Sequence, residues 1–293
     1  MRTRTAVVPA APGPDAAHFH DCPRDPACPF CGDGPARADA PDWSFLDGAY
    51  CISLESRDDR MAEAARQFHR VGLCRLVRFY RPAKHPSHAV TGIWESHRAV
   101  GMHALARSED PILIMEDDVA FSPGLDARGV RRIGEAMGRL PGGWSIFFLG
   151  HWPFWATFHR PNVLRTRSAC AHAYIASRRA LEWLREHPYR KDGPPLLGLA
   201  GKGIDAAYAK LPGTFALFPM VAIQSGSLSD HLTFAPGRKR TKLKHLITHS
   251  RHREWLLSRL MRPNEYAIVA LAPLAHVVGF GRRAWARLSP RRL

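Results

Sequence analysis

The chain of 293 residues lacks several features that would restrict its class. It has no run of about 18 apolar residues, which argues against a membrane-spanning helix. The first residues, MRTRTAVVPAAPG, contain two arginines but no apolar core of signal-peptide length, so we expect no secretion signal. No internal repeat is visible either. A composition of 45% hydrophobic and 23% charged residues is typical of a globular domain with extensions.

Acidic residues are scarce, with 26 Asp and Glu against 42 Lys and Arg, which gives a net charge of +16. Such a balance predicts acidic partners, namely nucleic acid, an anionic membrane or phosphorylated substrates. The excess is local, because residues 238–293 hold 14 Lys and Arg but only two acids. Charge alone therefore suggests a nucleic-acid-binding protein, but no motif of that class occurs, and we expect no specific nucleic-acid partner.

The predicted tail, residues 237–293, combines these cations with apolar residues. The segment Tyr266–Phe280 is too short to span a bilayer, and it either lies in a membrane interface or packs as a C-terminal helix. The sequence thus predicts a cytoplasmic protein. Peripheral attachment to an anionic inner membrane face is an additional hypothesis.

The six cysteines fall into two groups. The isolated Cys51, Cys74 and Cys170 are expected to be small buried side chains. Cys22, Cys28 and Cys31 crowd together beside two histidines in HFHDCPRDPACPFC, and Cys28-x-x-Cys31 has the spacing of zinc ligands. A structural zinc ion is one interpretation of this group. The other is a flexible, proline-rich arm over residues 1–41.

Strand and helix patterns alternate from about residue 42 to residue 236, which predicts one α/β domain. The predicted strands are 48–54, 75–80, 111–115, 144–150, 169–177 and 214–221. The predicted helices are 55–73, 89–108, 127–140, 178–187 and 203–211. The strand 111–115 is apolar on both faces, as a strand covered by helices on both sides must be. We therefore expect a mainly parallel central sheet flanked by helices.

An acidic triplet, Glu116, Asp117 and Asp118, ends this buried strand in ILIMEDDVAF. Ligands of open α/β sheets bind beyond the carboxyl ends of the strands. Because side chains alternate along an extended chain, Glu116 and Asp118 should point to one side and Asp117 to the other. Carboxylates held together call for a cation, and oxygen ligands suit Mg²⁺ or Mn²⁺. A turn with solvated acids is the alternative.

An ordered series of short motifs resembles glycosyltransferase family 25, which includes lipooligosaccharide (lipopolysaccharide biosynthesis) and collagen galactosyltransferases. The resemblance covers about residues 49–231. It rests on ISLESRDDR (52–60), GIWESHRAV (92–100), ILIMEDDV (112–119), WSIFFLG (144–150), AHAYIAS (171–177), GIDAAYA (203–209) and ALFPMVAIQSGSLSD (216–230). The resemblance implies a GT-A type fold that binds a nucleotide sugar, usually a UDP-hexose, with a divalent ion.

By this resemblance Asp118 is the first candidate metal ligand, Glu116 acts through water or the ribose, and Asp117 supports either. His231, where the family has an apolar residue, could complete the metal shell or be a surface histidine. Ser53 replaces the family's Asn in the first strand, which puts its contact with the donor in doubt.

Arg57 and Arg60 are candidates by position. They lie at the first strand–helix junction, where they could bind a nucleotide's anionic groups or pair with nearby acids. The resemblance implies that Ser96 and His97 are donor-pocket residues, although His97 shares a helix's apolar stripe and could instead be a hydrogen-bonded core histidine. Asp205 is the candidate general base, and a helix N-terminal carboxylate is its alternative role.

Together with this resemblance, the sequence predicts a metal-assisted hexosyltransferase that moves a hexose from a nucleotide sugar to a glycan or glycolipid hydroxyl. The resemblance implies inversion at the anomeric carbon and UDP-galactose as the first candidate donor. A metal-dependent phosphohydrolase that uses the same triplet is the rival among enzymes.

Overall fold

The computed structural model describes residues 16–31, 40–86, 88–189, 203–225 and 260–272. The strands in these ranges are β1 (Phe19–Asp21), β2 (Gly48–Ile52), β3 (Val77–Tyr80), β4 (Ile112–Glu116), β5 (Val119–Phe121), β6 (Ile146–Arg160), β7 (Val163–Ala176), β8 (Thr214–Leu217) and β9 (Ala222–Gln224). The helices are α1 (Asp58–Arg70), α2 (Ala89–Ala106), α3 (Ala127–Gly138), α4 (Arg178–Glu186), α5 (Ile204–Tyr208) and α6 (260–272).

Seven strands form one sheet in the order β1-β3-β2-β4-β7-β6-β8, while β5 and β9 form a separate pair. Strand β2 is parallel to both β3 and β4, and β6 is parallel to β8. Strand β7 is antiparallel to β4 and to β6, so β6 and β8 run in the same direction as β4. Five of the seven strands therefore share one direction. The predicted α/β class is confirmed. The sheet itself is mixed, because three of its strand pairings are parallel and four are antiparallel among the described residues, so the expected mainly parallel character holds for strand direction but not for pairing.

Helices cover both faces of the sheet, as the apolar pattern of β4 predicts. Leu113 and Met115 pack in a core with α1 and α3. Ile112 and Ile114 point the other way and pack in a second core with α2, α4 and α5. All four side chains are fully buried, which explains why this strand shows no polar alternation.

Strands β6 and β7 form a long hairpin that the sequence predicts only in part. The predicted strand ends at Gly150. In the structure β6 continues to Arg160, and it includes Trp152 and the buried Trp155. The pairing of β6 with β7 contains four register shifts between Phe148 and Arg160. Each shift breaks the two-residue alternation, so the sequence shows no clear strand pattern here.

The N-terminal segment is ordered where the sequence predicts a flexible arm. Strand β1 pairs antiparallel with β3, and the Cys22 amide donates to the Val77 carbonyl at 3.1 Å. Cys22 and Cys28 are both buried. The prolines do limit regular structure, but the open edge of β3 supplies the partner that local sequence patterns cannot show. Residues 1–15 and 32–39 of the predicted arm lie outside the described residues.

Part of the predicted tail packs on the domain. In α6 the side chains of Met261, Glu265 and Ala272 are buried, so the packed-helix interpretation holds for residues 260–272. Among the described residues, no helix has both the length and the apolar character needed to cross a membrane. The remaining parts of the tail, 237–259 and 273–293, lie outside those residues.

Candidate active site at the carboxyl edge of the sheet

The acidic triplet lies where β4 leaves the sheet, beside the end of β2. Ile52 pairs with Glu116 in the parallel register, and the Asp117 amide donates to the Ile52 carbonyl at 3.1 Å. Asp117 and Asp118 form a turn into β5, and the Asp118 carbonyl accepts from the Ser225 amide at 2.5 Å. Backbone hydrogen bonds on both sides thus hold the turn at the carboxyl edge of β2 and β4, the edge where α/β sheets bind ligands.

The guanidinium of Arg60, on α1, compensates the negative charges of Asp117 and Asp118. Arg60 Nη1 lies 2.9 Å from Asp117 Oδ1, and its Nη2 lies 3.6 Å from Asp118 Oδ2. All three side chains are largely buried. Arg60 therefore bridges Asp117 and Asp118. A pair this buried is expensive to break, at about 3–5 kcal/mol when one partner is removed. The expectation that Asp118 shares a side with Glu116 stays a prediction.

Glu116 faces α2 instead, where a chain of hydrogen-bonding groups begins. Its Oε1 lies 3.5 Å from His97 Nε2, and His97 Nδ1 is hydrogen-bonded to the Tyr174 hydroxyl at 2.9 Å. The Tyr174 and Tyr208 hydroxyls are hydrogen-bonded at 2.7 Å. Burial lowers the pKa of His97 to about 4, against the opposing charge of Asp205. His97 is therefore a neutral imidazole at pH 7 that lies between Glu116 and the hydrogen-bonded tyrosines of β7 and α5.

Asp205 lies at the start of α5, next to β7. Its Oδ1 accepts a hydrogen bond from the Ala171 amide at 2.9 Å. Burial raises the pKa of Asp205, while the interactions with His97, Ala171 and Cys170 oppose that rise. A carboxylate with a raised pKa is a better proton acceptor near neutral pH than an ordinary one. The position is thus compatible with the predicted role as a general base.

Cys170 joins these groups, although the sequence gives no functional signal for it. Its backbone has a φ of 67°, in the left-handed region that non-glycine residues seldom occupy. Burial raises the pKa of its thiol well above the ordinary value, and the negative charges of Asp205, Glu116 and Asp118 raise it further. Three carboxylates from the β4 turn and α5 therefore lie within electrostatic range of one backbone position.

The other predicted donor-binding residues have mixed environments. Ser53 follows β2 and is buried, and its hydroxyl has no hydrogen-bond partner among the described residues. Arg57 donates two hydrogen bonds of 2.8 Å to the Asp59 carboxylate. These hydrogen bonds lower the pKa of Asp59 to about 2. The Ser96 hydroxyl donates to the Gly92 carbonyl of its own helix at 2.7 Å. Ion pairing, the alternative considered for Arg57, is thus observed. The Ser96 hydroxyl already donates a hydrogen bond within α2.

The structure brings together most of the predicted site, with one residue unplaced. Arg60, the acidic triplet, His97 and Asp205 surround the carboxyl edge of β4, while His231 lies outside the described residues. Within the described ranges, no three carboxylate or imidazole ligand atoms at this edge lie within 4.8 Å of one another. Tyr174 and Tyr208 are additions that sequence reasoning missed. The pairing of β4 with β7 places Tyr174 beside His97, and Tyr208 on α5 reaches the site through its hydrogen bond with Tyr174.

No protein-family model matches the chain, and no curated protein matches it. Two solved structures show limited similarity. The crystal structure of A197 from STIV has 11% identity over 66% of this chain and 97% of that chain, with a TM-score of 0.36. The crystal structure of a glycosyltransferase involved in the glycosylation of the major capsid of PBCV-1 has 11% identity over 53% and 72%, with a TM-score of 0.34. Both TM-scores lie below 0.5, and the resemblance to family 25 stays a prediction.

Proposed function

We propose that the chain is a glycosyltransferase that transfers a hexose from a nucleotide-sugar donor to a hydroxyl of a glycan or glycolipid. The observation that carries this proposal is the acidic turn at residues 116–118, held at the carboxyl edge of β2 and β4 beside the first turn of α1. A donor bound there would meet carboxylates, buried cationic groups and backbone amides together. The motif series in the sequence supports the same chemistry and suggests UDP-galactose and inversion.

We expect a divalent ion, Mn²⁺ or Mg²⁺, to bind at this edge together with the donor, whose phosphates would supply the remaining ligands. Arg60 contacts Asp117 at 2.9 Å and Asp118 at the longer distance of 3.6 Å. Asp118 is the proposed direct ligand, by the motif resemblance, and Glu116 the proposed ligand through water or ribose contact. Mg²⁺ in proteins is commonly held by one or two carboxylates plus substrate phosphates and water. When bound, such an ion offsets the negative charge that grows on the leaving nucleoside diphosphate. His231 is a further candidate ligand.

Asp205 is the proposed general base for the acceptor hydroxyl. Its carboxylate is fixed by the Ala171 amide, and its raised pKa favours proton uptake. Removing the hydroxyl proton as the oxygen attacks the anomeric carbon accelerates an in-line displacement by about 10²–10⁴-fold. His97 supports this arrangement from α2 as a positioning residue. If Tyr174 donates to His97 Nδ1, the imidazole N–H faces Glu116.

The first prediction tests the donor site with Asp118→Asn, which removes one charge and keeps the shape. Calorimetry with a panel of UDP-hexoses, in Mn²⁺ and again in a chelator, should show metal-dependent binding to the unaltered chain. The variant should lose that binding by at least about tenfold, because a ligand worth 1.4 kcal/mol or more is removed. Glu186→Gln, an exposed change on α4, is the matched control and should bind normally.

Three results would contradict the proposal. If Asp118→Asn and the unaltered chain bind the donor with equal affinity, the acidic turn does not bind the metal ion through Asp118. Metal-dependent release of phosphate from simple phosphate esters, without sugar transfer, would instead identify a phosphohydrolase. Salt-dependent DNA binding in the absence of donor binding would favour the nucleic-acid class.

A further inference from the structure

Four side chains with metal-ligating atoms meet on the α1 side of the sheet, away from the acidic turn. Cys28 and Cys31 come from the N-terminal segment, His69 from the last turn of α1, and Cys74 from the connection between α1 and β3. One ligand atom from each residue lies within 4.8 Å of the other three. Three separate stretches of the chain therefore converge on one small volume.

The distances match the edges of a tetrahedron around a single zinc ion. With Zn–S bonds of about 2.3 Å and Zn–N bonds of about 2.0–2.1 Å, tetrahedral geometry separates two sulfurs by about 3.8 Å and a sulfur from a nitrogen by about 3.5 Å. The Sγ atoms of Cys28 and Cys74 are 3.8 Å apart, and those of Cys31 and Cys74 are 3.5 Å apart. Cys31 Sγ lies 3.2 Å from His69 Nδ1.

The turn that carries the first two cysteines is also shaped for a metal. The Cys31 amide donates to the Cys28 carbonyl at 3.2 Å, which closes a tight turn. The Phe30 amide points at Cys28 Sγ at 3.4 Å. A backbone N–H aimed at a sulfur orients the ligand, as outer-shell donors do in metal sites.

Simple packing of small thiols explains the group less well. Cys51 illustrates that case, since it is fully buried within the apolar core at β2. Here, by contrast, an imidazole nitrogen points at a sulfur, and both Cys31 and His69 keep some exposed surface. A disulfide would need a sulfur–sulfur distance of about 2.05 Å and would leave the third thiol and the imidazole without a role.

We infer that Cys28, Cys31, His69 and Cys74 bind one structural zinc ion. A Cys₃His set fills all four positions of a tetrahedral ion, which is the composition of closed structural sites rather than catalytic ones. The ion would fasten the N-terminal segment, in which the described strand β1 has three residues, to the end of α1 and the start of β3. Metal binding would thus supply order that the proline-rich sequence cannot supply by itself.

The proposed ligand set differs from the one predicted from the sequence. Cys28 and Cys31 remain, but Cys22 and the neighbouring histidines are not members of the group, and Cys74 joins it. The proposed partners, His69 and Cys74, lie 38 and 43 residues from Cys31. They come from a helix end and a loop, so no short motif in the sequence reveals them.

The test is the metal content of the purified full-length chain by mass spectrometry, with expression in zinc-supplemented medium. We expect about one zinc ion per chain. Cys31→Ser and His69→Ala should lose it, whereas Cys22→Ser and Cys170→Ser are matched controls and should retain it. Replacement by Co²⁺ should give the visible absorption of a tetrahedral thiolate site, and His69→Cys should keep the metal but shift that spectrum.

A second measurement uses the unaltered chain, so that a misfolded variant cannot decide the matter. A strong chelator should lower the melting temperature, and added zinc should restore it, because the ion binds only the folded site. Zinc content far below one per chain, stoichiometric iron in its place, or a disulfide among these cysteines in the intact mass would overturn the inference. Equal metal loss in Cys22→Ser and Cys31→Ser would also overturn it.

Discussion

Burial raises the pKa of Asp205 at the edge of the candidate site, and the amides of Ala171 and Cys170 offset this only in part. A carboxyl group with a raised pKa in the folded state binds its proton more tightly there than in the unfolded chain. Its contribution to stability is therefore complete below the unfolded pKa and is lost as the pH rises through the folded pKa. Ionising the Asp205 carboxyl group therefore costs stability, as is common for titratable groups at functional sites.

The second prediction follows from these opposite effects of Asp205, which is proposed to support catalysis but lowers stability when it is ionised. Asp205→Asn keeps an oxygen for the Ala171 amide but removes the buried charge, so transferase activity should fall by about 10²–10⁴-fold. The free energy of unfolding at pH 7 should stay level or rise, and the advantage of the variant should grow as the pH increases. Urea unfolding at several pH values and initial rates would check both effects. Full activity in the variant would exclude Asp205 as the base.

Gly150 is a residue whose lack of a side chain the fold requires. A Cβ added there would lie 2.3 Å from both the Ala222 carbonyl oxygen and His172 Nε2. The carbonyl belongs to β9, whose backbone cannot yield without disturbing its pairing with β5. His172 is fully buried, so its ring has little room to move. This close approach joins the β6–β7 hairpin to the small sheet behind the acidic turn.

The third prediction is that Gly150→Ala lowers the free energy of unfolding by about 1–3 kcal/mol or more, as overpacking in a dense core does. Gly124→Ala is the control, because a Cβ at that position meets no heavy atom within 4 Å. Denaturant unfolding of both variants would measure the difference. Similar stability of the two variants would contradict the close approach.

At the scale of whole elements, the sequence predicts what local patterns encode. Strand β4 and helix α1 follow from a short apolar run and a helical period, and both form inside the predicted limits or within one residue of them. The position of the acidic turn at the carboxyl edge follows as well. Its counter-ion does not, because Arg60 and Asp117 are 57 residues apart and meet only through the packing of α1.

Elements that depend on distant partners are missed for the same reason. The β6–β7 hairpin is stabilised by cross-strand pairs whose register shifts hide its alternation. Strand β1 needs the edge of β3, and the Tyr174 hydroxyl reaches His97 only after β7 has paired with β4. Periodicity in a single sequence reports the local chain, whereas these contacts are set by the sheet order.

Helix α6 is attached to the domain by a buried polar contact. Glu265 is fully buried, its Oε1 lies 2.9 Å from His151 Nε2, and its Oε2 accepts from the Met220 amide at 3.0 Å. His151 is held in turn by the Ser168 hydroxyl at 2.7 Å. One carboxylate therefore connects the tail to the β6–β7 hairpin and to the segment before β9.

The fourth prediction concerns this attachment. Glu265→Ala should lower the free energy of unfolding by about 3 kcal/mol, because it leaves a buried imidazole and a buried amide without their acceptor. Leu271→Ala, an exposed change in the same helix, should alter it by less than about 0.5 kcal/mol. Thermal unfolding and hydrogen exchange across residues 260–272 would compare the two. Equal effects would show that the helix is held in some other way.

At the scale of the whole molecule, the net charge of +16 is concentrated beyond residue 237. Cations near an anionic leaflet each contribute about 1 kcal/mol, and the effect decays within a Debye length. Part of the tail, α6, packs on the domain, so removing the whole tail would also expose the surfaces around His151. Membrane attachment must therefore be tested by removing charge rather than by shortening the chain.

The fifth prediction is that the chain binds anionic vesicles through its basic stretch GRKRTKLK, residues 237–244. Neutralising Arg238, Lys239, Arg240, Lys242 and Lys244 to Gln should weaken binding by about 10³-fold, if each cation contributes near 1 kcal/mol. The matched control neutralises five exposed arginines elsewhere, namely Arg128, Arg131, Arg139, Arg160 and Arg185. Cosedimentation with anionic and neutral vesicles at low and high salt measures the effect. No binding to anionic vesicles at low salt would contradict attachment through this stretch. Equal losses in the two variants would also contradict it, because they would show a nonspecific attraction that depends on net charge alone.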